Sequence, residues 1–193
     1  MDVVEGLKGK EESALVELMN IYGDYLLRTA ILLLKDKQIA EEVVQDTFIT
    51  AFDRIYQLAD PGKLKSWLTS ILVNHCRSQQ RKRSWKEAFL PFSLIERFQE
   101  GEEFLGPEEH LLNLMKNQQL GAAIHELDYK YREAIILFYF NEMKINEIAH
   151  YLDVNENTIK SRLTRGRSHL KEILKRGEGV NESGKRNNQT KAR

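Results

Sequence analysis

Apolar residues recur along this chain at intervals of three and four, the spacing that lines one face of a helix. Leu15, Leu18, Met19, Tyr22, Leu26, Leu27, Ala30, Ile31 and Leu34 begin the pattern and predict an amphipathic helical region from about residue 10 to residue 34, bent or interrupted at Gly23. After the polar Lys35-Asp36-Lys37 a second helix is expected over 38–57, with Val44, Phe48, Ala51, Phe52 and Ile55 turned to a core. Its opposite face carries Glu42, Asp46, Ile49 and Asp53, an acidic stripe with one apolar residue set in it. Asp60-Pro61-Gly62 reads as a turn, and a helix follows over 64–85. Leu64, Trp67, Leu68, Ile71, Leu72 and Cys76 are its expected buried side, leaving Asn74, Arg77, Ser78, Gln80, Arg81 and Arg83 outside.

The pattern then breaks. Residues 87–109 hold two of the three prolines and read as a linker between two domains, 1–86 and 110–176. Phe89, Leu90, Phe92, Leu94, Ile95, Phe98, Phe104 and Leu105 make it too apolar for a free tether, so it is expected to lie on another surface. Pro107 suits the first turn of a helix running to about Leu127. A further helix over 128–140 packs through Tyr131, Ala134, Ile135, Leu137 and Phe138. The tail 177–193, rich in Gly, Asn and Lys, is expected to be disordered.

Residues 145–164 carry the clearest supersecondary signal. Ile145, Ile148, Ala149 and Leu152 line one face of a short helix, Asp153-Val154-Asn155 breaks it, and Ile159 and Leu163 restart the apolar face. Asp tolerates the left-handed conformation of a tight turn, and Asn155 can cap the next helix by accepting from an orphan N–H. Ala149 is small where two helices must cross, so the whole reads as a helix-turn-helix. Lys160, Ser161, Thr164, Arg165 and Arg167 face away from Ile159 and Leu163, with Arg162 at the flank. Cations on such a face can meet guanine edges and phosphates in the major groove. A solvated basic helix end favoured by the macrodipole would also carry charge, but would not require the turn and apolar spacing that precede it.

The 193 residues allow one or two small domains, and the long helical periods with few prolines make the chain all-α. Lysine plus arginine equals aspartate plus glutamate at 29 each, yet the balance hides segregation. Residues 61–86 carry Lys63, Lys65, Arg77, Arg81, Lys82, Arg83 and Lys86 with no acid, whereas 87–109 carry seven glutamates against Arg97. Two cationic blocks flanking an acidic one suggest two nucleic-acid contacts. The lone Cys76 excludes an internal disulfide and fits a reducing compartment. His75, His110, His125, His150 and His169 lack ligand spacing, so no metal and no other cofactor is expected. The start lacks the basic and apolar regions of a signal peptide, and Ala30–Leu34 is far too short for a bilayer, so a cytoplasmic protein is expected.

With these landmarks in place, the chain resembles an extracytoplasmic function (ECF) sigma factor, the small two-domain class of bacterial RNA polymerase specificity subunits. Residues 40–52 resemble the family's polymerase-binding helix, 67–74 its promoter-melting segment, 131–137 its arrangement before the helix-turn-helix, and 158–167 its upstream-element reader. The resemblance implies that Glu42, Gln45, Asp46, Ile49 and Asp53 dock on the clamp helices of the largest subunit of core RNA polymerase. It implies that Asn74, Arg77, Ser78, Arg81, Lys82 and Arg83 meet promoter DNA at the minus 10 element, where an extruded base is captured. It further implies that Asn157, Thr158, Lys160, Ser161, Arg162, Thr164, Arg165 and Arg167 meet the minus 35 element, with Arg165 and Lys160 the foremost readers. An anti-sigma factor, commonly membrane-bound, is implied as a further partner, and no small-molecule substrate. The chain departs from the family pattern at Ser78, where an aspartate is common, and at Asn155 and Asn157, where proline and glycine are frequent.

Two other classes compete. A helix-turn-helix regulator with a sensing or dimerisation domain would share the C-terminal half, but has no need of an acidic stripe followed by a basic helix. A recombinase would need a nucleophile with a positioned base or a metal cluster, and Ser66, Ser70 and Ser78 show neither.

Overall fold

The computed structural model describes residues 3–89 and 118–189, and among them every regular element is helical. The chain divides into two compact units, 1–105 and 106–193, which are considered separately. The expected linker and the expected start of a helix at Pro107 fall largely outside the described residues.

In the first unit α1 (Val3–Lys8) leads through Lys10, at φ 58°, into α2 (Glu12–Leu34). The apolar pattern missed α1, which is short and buries only Val4 and Leu7 as large apolar groups. Gly6 lets α1 approach α2, since a Cβ there would sit 2.7 Å from that of Ala14. No break occurs at Gly23: α2 runs unbroken, because one glycine costs only about 1 kcal/mol of helix propensity. At its end Lys35 turns left-handed and donates its N–H to the Ile31 carbonyl at 2.9 Å. Asp36 then caps α3 (Lys37–Arg54) by accepting from the N–H of Ile39 at 3.0 Å. Asp60 accepts from the N–H of Gly62 at 2.9 Å, which orders the turn before α4 (Leu64–Phe89).

Helices α2, α3 and α4 enclose one core. Leu18, Leu26 and Leu33, Val43, Ala51 and Ile55, and Leu68, Leu72 and Cys76 meet there. Two polar bridges fix the helices against one another: the Tyr25 hydroxyl lies 3.1 Å from that of Thr69, and Thr50 Oγ1 lies 3.1 Å from His75 Nε2. Trp67 and Ile71, expected inside, are only half-buried, whereas Val73 is buried. The buried arc of α4 centres on Leu68, Leu72 and Cys76, so residues one position before 68 and 72 fall at its edge.

The second unit comprises α5 (Gln118–Glu126), α6 (Tyr129–Ile135), α7 (Ile145–Leu152) and α8 (Glu156–Gln189). A wider π turn over Ile136–Phe140 extends α6, with the N–H of Asn141 reaching back to the Ile136 carbonyl at 3.0 Å. Helix α8 is long, and no proline interrupts 156–189. Ile148, Ala149, Leu152, Ile159 and Leu163 are buried with Tyr131, Ala134, Ile135 and Leu137, as the helix-turn-helix spacing requires.

Gly166 sets how closely α8 crosses α6. A Cβ there would lie 3.1 Å from Ile135 Cγ1 and 3.4 Å from Tyr131 Cβ. Gly166→Leu is therefore expected to destabilise the second unit by about 1 to 3 kcal/mol through overpacking, read as a lowered thermal midpoint for the full chain.

Candidate nucleic-acid and polymerase interfaces

The turn of the helix-turn-helix is built by its own side chains. Asp153 takes the left-handed conformation at φ 52° and ψ 52°, and the N–H of Val154 reaches the Ala149 carbonyl at 3.0 Å. Asn155 Oδ1 accepts from the N–H of Asn157 at 2.8 Å, so the amide does the capping expected of it. On the other side, Glu147 accepts from the N–H of Lys144 at 2.9 Å and secures the start of α7.

This frame holds the first turns of α8 with one face outward. Asn157, Lys160, Ser161, Thr164, Arg165 and Arg167 are exposed there, and Thr158 is half-buried. Lys160 lies 3.9 Å from Glu156, one turn earlier. Arg167 donates to the Tyr139 hydroxyl at 3.3 Å and to Thr164 Oγ1 at 3.5 Å, so its guanidinium is held along the helix surface. Arg162 sits differently from the rest of the set. Its side chain is 20% exposed and lies 3.9 Å from the carboxylate of Glu133, which is 1% exposed. That ion pair draws Arg162 toward α6 and makes it part of the packing that sets the rotation of α8. Beside it Arg132, also buried, donates to the carbonyls of Leu127 at 3.0 Å and His125 at 3.2 Å, closing the corner between α5 and α6.

In the first unit two surfaces stand on neighbouring helices. On α3, Ala40, Val43, Val44, Thr47, Phe48 and Ala51 are buried, while Glu42, Gln45, Asp46, Ile49 and Asp53 are all exposed, Ile49 at 60%. Phe52, expected in the core, is half-buried because Lys10 covers it: the ammonium lies 4.5 Å from the ring centre and donates to the Phe52 carbonyl at 2.6 Å. The same ammonium lies 3.9 Å from Asp53 and 5.4 Å from the ring of Tyr56, which is 66% exposed. Tyr56 prolongs the stripe by three residues beyond Asp53, a spacing present in the sequence but obscured by the short 3-10 turn of Ile55–Gln57. On α4, Asn74, Arg81 and Lys82 are exposed, and Arg77, Ser78 and Arg83 are half-buried. Two surfaces of opposite charge thus lie on consecutive helices of one unit, an arrangement suited to one partner with a basic face and one polyanion.

Among the described residues there is no cluster of three or more histidine, cysteine or carboxylate groups able to hold a metal. No described helix is long and apolar enough to cross a membrane.

The two units coincide with two known sequence families. Residues 18–86 match Sigma-70 region 2, and residues 117–170 match Sigma-70 region 4. The ECF RNA polymerase sigma factor SigM of Bacillus subtilis (strain 168) is 31% identical over 162 residues, covering 83% of this chain and 95% of SigM. The RNA polymerase sigma factor SigV of the same organism is 30% identical over 158 residues, covering 82% and 89%. Among solved structures, the sigma factor RpoE in complex with the anti-sigma factor NepR, from Bartonella quintana, is 28% identical and superposes with a TM-score of 0.66, covering 82% of this chain and 95% of that one.

A region 2 unit and a region 4 unit define a sigma-70 type transcription initiation factor. More narrowly, the chain belongs to the ECF RNA polymerase sigma factors, and it directs core RNA polymerase to promoters. The region 2 match sets aside the reading as a helix-turn-helix regulator, which would need a different N-terminal half.

Proposed function

We propose that this sigma factor works through three surfaces, each used for one step of initiation. The α3 stripe of Glu42, Gln45, Asp46, Ile49 and Asp53 docks on the clamp helices of the largest polymerase subunit. The outer face of α4, with Asn74, Arg77, Ser78, Arg81, Lys82 and Arg83, takes the minus 10 element. There the amide of Asn74 offers a donor and an acceptor to the edge of an unstacked base, and the cations hold flanking phosphates. The exposed face of α8 enters the major groove of the minus 35 element through Lys160, Ser161, Thr164, Arg165 and neighbours. Promoter choice and melting then follow from binding energy, with no covalent step.

The observation that carries this reading is the exposure of Ile49 within an otherwise acidic stripe, on a helix whose opposite face is fully buried. An apolar residue ringed by carboxylates suits a partner with a basic rim and an apolar centre, and the charges steer its approach. Asp53 is held by Lys10, so Glu42 and Asp46 are the acids most able to meet an incoming cation. The protein accordingly works beside core polymerase in the cytoplasm.

An anti-sigma factor is the second partner in this reading. RpoE of Bartonella quintana is bound to the anti-sigma factor NepR, and its likeness to this chain spans both units. Such a protein would cover the polymerase-facing or DNA-facing surfaces until released.

Run-off transcription with purified core polymerase tests the reading. Promoter-dependent transcript from core plus this chain, absent with core alone, is the expected outcome. DNA retention without transcript would overturn it.

A further inference from the structure

Beside the recognition face, α6 and α8 enclose a concavity of about 390 Å³ whose lining includes Lys130, Asn157, Ser161 and Arg165. Three of these belong to the α8 face already assigned to DNA. Lys130 does not: it lies on α6, 27 residues before Asn157, and no pattern in the sequence connects the two. Its position is nonetheless tied to α8. The Lys130 ammonium lies 4.9 Å from the centre of the Tyr131 ring, and that ring packs edge-on to His169 of α8 at 5.1 Å. Lys130 is exposed, and among the described residues no carboxylate pairs with it. Arg162, which also lines the concavity, has its charge turned to Glu133. Lys130 and Arg165 are therefore the cations that give this hollow its sign.

We infer that Lys130 is a phosphate-binding residue, which grips the DNA backbone bordering the major groove that α8 enters. The inference rests on the assignment of α8 to the upstream element. A helix lying in a groove about 12 Å wide is bordered by sugar-phosphate strands, and an exposed cation on a second helix at its edge meets a strand rather than base edges. Its contribution is register and affinity, carrying no sequence information of its own. It also explains how a recognition helix with Arg162 diverted inward is seated, since the cation missing from α8 is supplied by α6.

The test compares the full chain with its Lys130→Gln and Lys130→Arg variants, each assembled with core polymerase. Affinity is measured from about 50 to 200 mM salt on a promoter duplex and on one with its upstream element scrambled. For Lys130→Gln the plot of log affinity against log salt is expected to be shallower by about 0.9, so that its deficit shrinks about three- to fourfold across that range. The deficit should be equal on the two duplexes, and Lys130→Arg should restore the slope. An unchanged slope, or a deficit confined to the intact promoter, would overturn the inference. Arg165→Ala is carried alongside: if it leaves the preference for the promoter untouched, the assignment of α8 fails, whatever Lys130 does.

Discussion

Arg165→Ala is expected to lower discrimination between the cognate upstream element and a scrambled one by about 1 to 3 kcal/mol, roughly five- to 150-fold in relative affinity. Arg165 is exposed on the third turn of α8, and its guanidinium can donate two parallel hydrogen bonds to a guanine edge. Truncation should leave thermal stability within about 0.5 kcal/mol, because an exposed side chain outside the packing contributes little to folding. The measurement is competition binding by the holoenzyme at one fixed salt concentration. An equal loss on both duplexes would identify a phosphate contact instead. Arg162, three residues earlier, should behave in the opposite sense. Its removal would take away one charged neighbour of the buried carboxylate of Glu133, so Arg162→Ala should lower the melting temperature first and affect DNA only through the tilt of α8.

Asp46→Lys is expected to weaken association with core polymerase by about tenfold to a hundredfold, since it places a cation where an acid meets a basic partner. The side chain is exposed on the outer face of α3, whose inner face forms the core, so the fold should survive the change. Salt provides the control. Exposed charges are screened beyond about 8 to 10 Å at ordinary ionic strength, so the gap between variant and parent should narrow as salt rises. Glu41→Lys is the paired control: Glu41 neighbours the stripe in sequence but points about 100° away around the helix and lies 3.9 Å from Lys37. Affinity for core unchanged by Asp46→Lys at matched salt would remove the α3 stripe from the polymerase interface.

These two experiments probe the parts of the molecule that local pattern revealed well. The buried face of α3 and the outward acids follow from helical spacing alone, as do the apolar faces of α7 and α8 and the polar corner between them. Asn155 as a cap and Asp153 in a left-handed turn could be read from side-chain chemistry within three residues. Pattern failed where a boundary depended on something other than period. Helix α1 is too short to display one, and Gly23 is tolerated because the turns on either side of it are packed.

The amino-acid sequence by itself determined that this is an all-helical chain with two basic surfaces, an acidic stripe and a helix-turn-helix, because each of these is written in residues within a few turns of one another. Tertiary structure alone decided which charges are available to a partner. Lys10 reaches across more than 40 positions to settle on Phe52, Asp53 and Tyr56, Arg162 turns to Glu133, and Lys130 comes to the edge of the recognition face. Those pairings depend on where helices cross and how closely, which Gly166 and the buried side chains around it set, and the period of a single helix carries no record of its neighbour's rotation.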